Sequence, residues 1–209
     1  VPNAPVEIEL KNIRYRYGGA KEDTLKGINL KIKAGEKLAL VGINGAGKTT
    51  LVKLLCGMYR PTEAEILVGG KDIGDYNIEE FYSLISSVFV EVRVFAFSCF
   101  EFVASSDLNR PTAREDAEAA MKAAEIYEKI RTLPKGMDTH LMKGIYEDGV
   151  DLSGGEMQKL LLARAIYKNG AIFILDEPTA ALDPIAENNL YLQYRALTAG
   201  RTSVYISHR

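Results

Sequence analysis

The chain has 209 residues, 47% apolar and 26% charged, with a formal net charge of −2. That leaves room for one large core, or a core with a smaller appendage, in the composition of an ordinary soluble protein. The near-neutral balance excludes a general basic footprint for nucleic acid.

No stretch reaches the ~20 uncharged apolar residues that a membrane span needs; the nearest approach, Ser86–Phe100, carries Glu91 and Arg93. The first residues, V-P-N-A-P-V-E-I-E-L, read as a Pro-bearing linker running into a strand rather than as a leader. Glu7–Tyr17 alternates loosely and predicts that strand. Leu30, Ile32 and an Ala-Gly-Glu turn at 34–36 predict a hairpin into Lys37–Val41. A helix follows from Lys48 to about Cys56, closed by Gly57. Ile66–Val68 is a short strand ending in Gly69-Gly70, and Leu84–Val90 a buried one. Arg110-Pro111-Thr112 opens an Ala- and Glu-rich helix through about Lys129, with Thr112 as N-cap and Glu115 three residues on. A second long helix runs from Ser153 to about Lys168. Ala171–Leu175 is a continuous apolar run, as central parallel strands are. Ile185–Leu197 reads as helix and Thr202–Ser207 as a last strand. Strands alternating with helices predict an α/β class with a largely parallel core. The segment from about Glu91 to Val150 is mostly helical and interrupts that alternation. Cys56 and Cys99 have neither CxxC nor metal-ligand spacing and are expected as reduced, buried thiols.

Gly42-Ile-Asn44-Gly45-Ala46-Gly47-Lys48-Thr49 fits G-x-x-x-x-G-K-[ST] in full, with a strand before it and a helix after it. Glycines let backbone N–H groups wrap phosphates, and the start of a helix adds a favourable field. In such a loop Lys48 would neutralise the β- and γ-phosphates. Thr49 would offer its hydroxyl to Mg²⁺, and Thr50 follows it into the helix. Ala171–Leu175 then ends in Asp176-Glu177-Pro178. An apolar strand delivering an acid at its C-terminal edge places a carboxylate near bound phosphate. Asp176 is the candidate to hold Mg²⁺ through water. Glu177, one residue on, is the candidate to polarise an attacking water.

Ser153-Gly154-Gly155-Glu156 has the spacing of a capping box. A capping box does not need glycines at both intervening positions. Glycines there strip the helix start of side chains and let an anion approach bare N–H groups. The loop at Lys48 already serves its own nucleotide, so this second helix start is expected to face a phosphate on another subunit.

Here Leu152-Ser-Gly-Gly-Glu156 resembles the signature motif of ATP-binding cassette (ABC) ATPases, whose paired cassettes sandwich two ATPs head to tail. Other motifs follow in family order. Ala181-Leu-Asp183-Pro184 matches the D-loop. His208, after Thr202-Ser-Val-Tyr-Ile-Ser207, matches the switch histidine. Tyr17, in Y-R-Y-G, stands where the family has an aromatic residue stacking on adenine, although a half-exposed strand tyrosine is its bland alternative. Glu147-Asp-Gly149 is similar to a loop of exporter-type cassettes. The resemblance covers essentially the whole chain. It implies that Ser153, Gly154 and Gly155 meet the γ-phosphate held by the partner's Lys48. It further implies that His208 orients Glu177 or the water, and that Asp183 reaches the interface, whether or not it also caps the helix at Pro184.

One position departs from the pattern. Where the family places a glutamine at a strand end, Ser87-Val-Phe-Val90-Glu91 has Val90, which cannot approach Mg²⁺ or hold water. The resemblance implies a P-loop core over 1–90 and 151–209, cut short at its C-terminal end, and a helical signature subdomain over 91–150. It implies Mg-ATP as ligand and a second, identical or different, cassette as partner. It also implies a transmembrane domain fused N-terminally in a longer chain, placing the cassette on the cytoplasmic face of a cell membrane. The expected function is ATP hydrolysis powering an exporter. A weakly hydrolysing regulatory cassette of an unequal pair and an importer subunit stand as alternatives. A DNA-acting ABC ATPase is disfavoured by the lack of long heptads and of basic charge.

Overall fold

A computed structural model describes residues 4–61, 63–89, 95–176 and 192–207. Among the described residues, two four-stranded sheets carry the β structure. The first is antiparallel in its described pairs, in the order β2 (Leu25–Ile32), β1 (Ile8–Tyr15), β4 (Glu63–Val68), β5 (Lys71–Asp72). The second runs β3 (Lys37–Val41), β8 (Thr202–Ser207), β7 (Ile172–Asp176), β6 (Ile85–Phe89), with β3 and β7 both parallel to β8. The class is α/β with a parallel core and an N-terminal antiparallel portion, as expected.

The loose alternation of the first strand has a local cause. Ile8, Leu10 and Ile13 are all buried, so the phase slips by one residue after Leu10. The ladder is irregular there: Asn12 takes φ 50° and donates its N–H to Asn29 Oδ1 at 2.9 Å. This is a bulge, which lets the strand keep one apolar face through the slip. β7 is buried at every position, the mark of an interior strand.

The expected hairpin into Lys37–Val41 does not form. The turn closes with Glu36 N–H on Lys33 O, but β2 pairs with β1 while β3 joins the other sheet. The exit of the turn is captured from the far end of the chain. Gly35 N–H donates to Thr202 Oγ1 and Ser203 N–H to Glu36 O, which starts the parallel β3–β8 ladder. The Ala-rich helix is also interrupted. It spans α4 (Ala113–Ala123), and after a break the chain resumes as α5 (Tyr127–Arg131). Glu125 at φ 56° ends the first helix, with Ile126 N–H returning to Met121 O. Thr112 occupies the N-cap position without capping; its hydroxyl instead donates to Asp116 Oδ2 at 2.8 Å, so no box forms with Glu115.

By contact, the described residues divide into two compact units. One holds both sheets, save the last two residues of β6, with α1 (Lys48–Leu55) and α2 (Ile78–Ser83), within 4–87, 170–176 and 198–207. The other is helical, within 88–169 and 192–197. In it α3 (Cys99–Val103) and α4 pack on α6 (Gly154–Lys168), burying Phe102, Met121, Leu160 and Leu161. Cys56 and Cys99 are buried and not joined in a disulfide, and burial pushes the Cys99 thiol up to about 12.

Candidate nucleotide-binding site

β3 brings the chain to the loop at Val41 and α1 carries it away from Lys48. Between them Gly47 holds φ 88° and ψ 8°, and a Cβ there would stand 2.7 Å from Leu25 Cδ2. The left-handed backbone calls for glycine, and a side chain there would also crowd Leu25. No side chain caps α1 and no acid stands in its first turn, so its leading amides have no intrahelical partner and face outward as a positive end. Ala46 N–H closes the loop onto Ile43 O at 3.2 Å, leaving Asn44 and Gly45 exposed at the tip. The Lys48 ammonium lies over this loop, donating to Gly42 O at 2.6 Å and Ile43 O at 2.9 Å.

Beside the loop lies a cavity of about 280 Å³ lined by Tyr17, Thr24, Gly45, Gly47, Lys48, Thr49 and Thr50. Tyr17 lies two residues past the end of β1, not within it, and is 38% exposed. Its hydroxyl is 2.9 Å from Thr50 Oγ1. Its ring stands nearly perpendicular to those of Tyr15 and Tyr59, with centroids 5.0 Å and 5.8 Å away. Burial lifts the Tyr15 phenol above its ordinary range, and the neighbouring Tyr59 and Tyr17 add to this.

Asp176 closes β7 and is buried. On β8, Ile206 is the register partner of both Asp176 and Leu40. The acid therefore stands level with the end of β3, two strand spacings or about 10 Å across the sheet. Both parallel strands deliver their C-terminal ends to the same edge, which is where an α/β sheet holds ligands. The donor set fits a magnesium nucleotide: outward amides and an ammonium for phosphate, a threonine hydroxyl and a carboxylate for the cation.

In the helical unit α6 begins with a complete capping box. Ser153 Oγ accepts from Glu156 N–H at 3.3 Å, and Glu156 Oε2 accepts from Ser153 N–H at 2.8 Å. Lys129 adds an ion pair to Glu156 at 3.1 Å. The Ser153 amide, followed by Lys129, holds the Glu156 carboxyl below its usual range. Ser153, Gly154 and Gly155 are exposed, and a Cβ added to either glycine would meet nothing within 4 Å. Packing among the described residues thus gives no reason for the two glycines.

Glu177, Asp183, His208 and Val90 lie outside the described residues. Thr24, Tyr15 and Tyr59 were not singled out from sequence, since no motif marks them. Thr24 reaches the cavity because its N–H bonds Tyr15 O at 2.8 Å and closes the loop that carries Tyr17.

The family profile described as "ABC transporter" matches residues 25–180. An ATP-dependent lipid A-core flippase of Cupriavidus pinatubonensis is 38% identical over 206 residues, which cover 97% of this chain and 34% of the flippase. An ABC transporter B family member, number 29 and chloroplastic, of Arabidopsis thaliana is 37% identical, covering 97% of this chain and 31% of that protein. A solved structure of a bacterial Atm1-family ABC exporter with ATP bound superposes with a TM-score of 0.85 at 32% identity, covering 100% of this chain and 37% of the exporter. The chain thus spans about a third of the length of the curated relatives it matches.

Proposed function

The chain belongs to the ABC transporter family, and from that premise we propose that it is the ATP-binding, ATP-hydrolysing cassette of a membrane exporter, working as a pair of cassettes closed around Mg-ATP. The single observation that carries the nucleotide half of this reading is the start of α1: an obligatory left-handed glycine, uncapped amides and an ammonium folded over the loop. The bare glycines of α6 support the paired half.

The residues act by position and charge, as phosphoryl transfer demands. The loop from Gly42 to Gly47 wraps the β- and γ-phosphates with N–H groups. Lys48 exchanges the Gly42 and Ile43 carbonyls for phosphate oxygens. Tyr17 offers its ring to the base. Bound Mg²⁺ would offset charge on the phosphate oxygens, with Thr49 and Asp176 as its holders. Glu177 follows Asp176 directly and is assigned the attacking water; His208, just past β8, is assigned to orient it. Ser153, Gly154 and Gly155 meet the γ-phosphate of the facing copy, with Asp183 near that interface. Each copy is then catalytically incomplete alone. In this reading the sheets and α1 form the ATPase core and the helical unit is the signature subdomain.

The flippases and the ATP-bound exporter among its relatives support an exporter whose cassette lies at the cytoplasmic face of a cell membrane. Among the described residues no helix is long and apolar enough to cross a membrane. We therefore place the membrane domain in the part of the relatives' length that this chain does not cover, N-terminal to it. Equilibrium binding tests the nucleotide assignment. Wild-type protein should bind Mg-ATP, and a Lys48→Ala variant that binds it equally well would rule out the loop as the phosphate site.

A further inference from the structure

The three tyrosines beside the loop form one assembly, and we propose that Tyr15 and Tyr59 are positioning residues that hold Tyr17 ready for the nucleobase, so that preference for a base-bearing ligand over a bare polyphosphate depends on a three-ring cluster anchored to α1. The proposal rests on the nucleotide-site reading above and deepens it. Tyr15 and Tyr59 stack nearly parallel, 8° apart with centroids at 5.3 Å, and both meet Tyr17 edge to face. Such offset and T-shaped pairs are favoured by the ring quadrupoles. Tyr17 is pinned a second time by its hydroxyl on Thr50 of α1. Ring contacts and a hydroxyl bond together set both of its side-chain torsions.

Tyr59 connects the cluster to the far end of that helix. It lies beyond the C-terminal turn of α1, its N–H directed to Lys53 O at 3.4 Å, and Lys53 Nζ stands 5.6 Å above its ring. The ring cluster is therefore fastened to α1 at both ends: by Thr50 in the first turn and by Tyr59 past the last. A loop tyrosine left free would lose rotamer freedom each time a base stacked on it; one already held does not. Removing Tyr59 should return that loss and weaken only ligands that carry a base.

The test compares a non-hydrolysable ATP analogue with inorganic tripolyphosphate, each with Mg²⁺, by calorimetric titration of the whole protein. Tyr59→Ala should weaken the analogue roughly three- to tenfold and leave tripolyphosphate within twofold, while Tyr59→Phe should behave as wild type. Equal weakening of both ligands, or of neither, overturns the positioning role. Should Tyr59→Ala fail to fold, Tyr15→Leu carries the same prediction and the same contrary result. Tyr17→Ala separates this proposal from the reading beneath it. If Tyr17→Ala leaves the analogue's advantage over tripolyphosphate intact, Tyr17 is not the base platform at all. If Tyr17→Ala removes the advantage and both supporting variants keep it, the cluster alone is refuted.

Discussion

Lys48 spends its charge on two backbone carbonyls, Gly42 O and Ile43 O, which are weaker partners than a phosphate. A charge-assisted hydrogen bond contributes about 1.5–3 kcal/mol, so Lys48→Ala should cost roughly 10- to 100-fold in ATP affinity, read by calorimetry, with little change in melting temperature. A comparable fall in stability would mean that the lysine serves the fold more than the ligand. Cys99 makes the opposite case of a group kept silent. It is fully buried and its thiol is pushed up to about 12, so at pH 8 iodoacetamide should modify it only after denaturant is added. Rapid labelling of the native protein would contradict its placement. At this scale the loop residues were readable because G-x-x-x-x-G-K-[ST] specifies geometry as well as identity. Tyr15, Thr24 and Tyr59 were not, because a closed loop brings Thr24 to the cavity, and a bulged strand and the chain after α1 bring the two tyrosines against Tyr17.

The start of α6 shows how an element can carry two roles. Its capping box is ordinary helix chemistry, and a carboxylate at the third helical position also favours the macrodipole. Because the folded Glu156 is held below its usual range, its stabilising effect is present above the carboxylate's unfolded pKa and is lost as pH falls through the lower folded value. Thermal unfolding should therefore show Glu156→Gln less stable than wild type near neutrality. The gap should close on acidification from about pH 5 downward; a gap that widens in acid would reverse the assignment. The helix itself was legible from its box and its apolar period. The hairpin at 33–37 misled because a Gly turn between two short strands looks the same whether the second strand folds back or crosses to another sheet. That choice was made by Thr202 and Ser203, far away in sequence. The break between α4 and α5 was hidden because the left-handed residue is Glu125, not the glycine that usually marks such a stop.

For the whole molecule, the proposed function requires a second copy. Among the described residues nothing explains the open glycines at 154 and 155; in the proposed pair they meet the phosphate held by the facing cassette. Glu177→Gln should reduce hydrolysis by about 10²–10⁴-fold, the range for loss of a general base, with ATP binding retained. It should also accumulate a species of twice the mass in gel filtration with ATP; near-normal turnover would remove Glu177 from its role. The alternation of strands and helices announced the α/β class early. The helical segment from about 91 to 150 was legible too, and long-range contacts were needed to show that 151–169 and 192–197 cluster with it.

Disulfide trapping in the Glu177→Gln background tests directly whether two cassettes close around ATP. One differently tagged copy would carry Ala46→Cys at the loop and the other Gly154→Cys at α6, with the native buried cysteines as silent background. A cross-link between the two copies should form under oxidation with Mg-ATP and be absent without nucleotide. No cross-link between copies with ATP, or one that forms instead within a single chain carrying both substitutions, would contradict it.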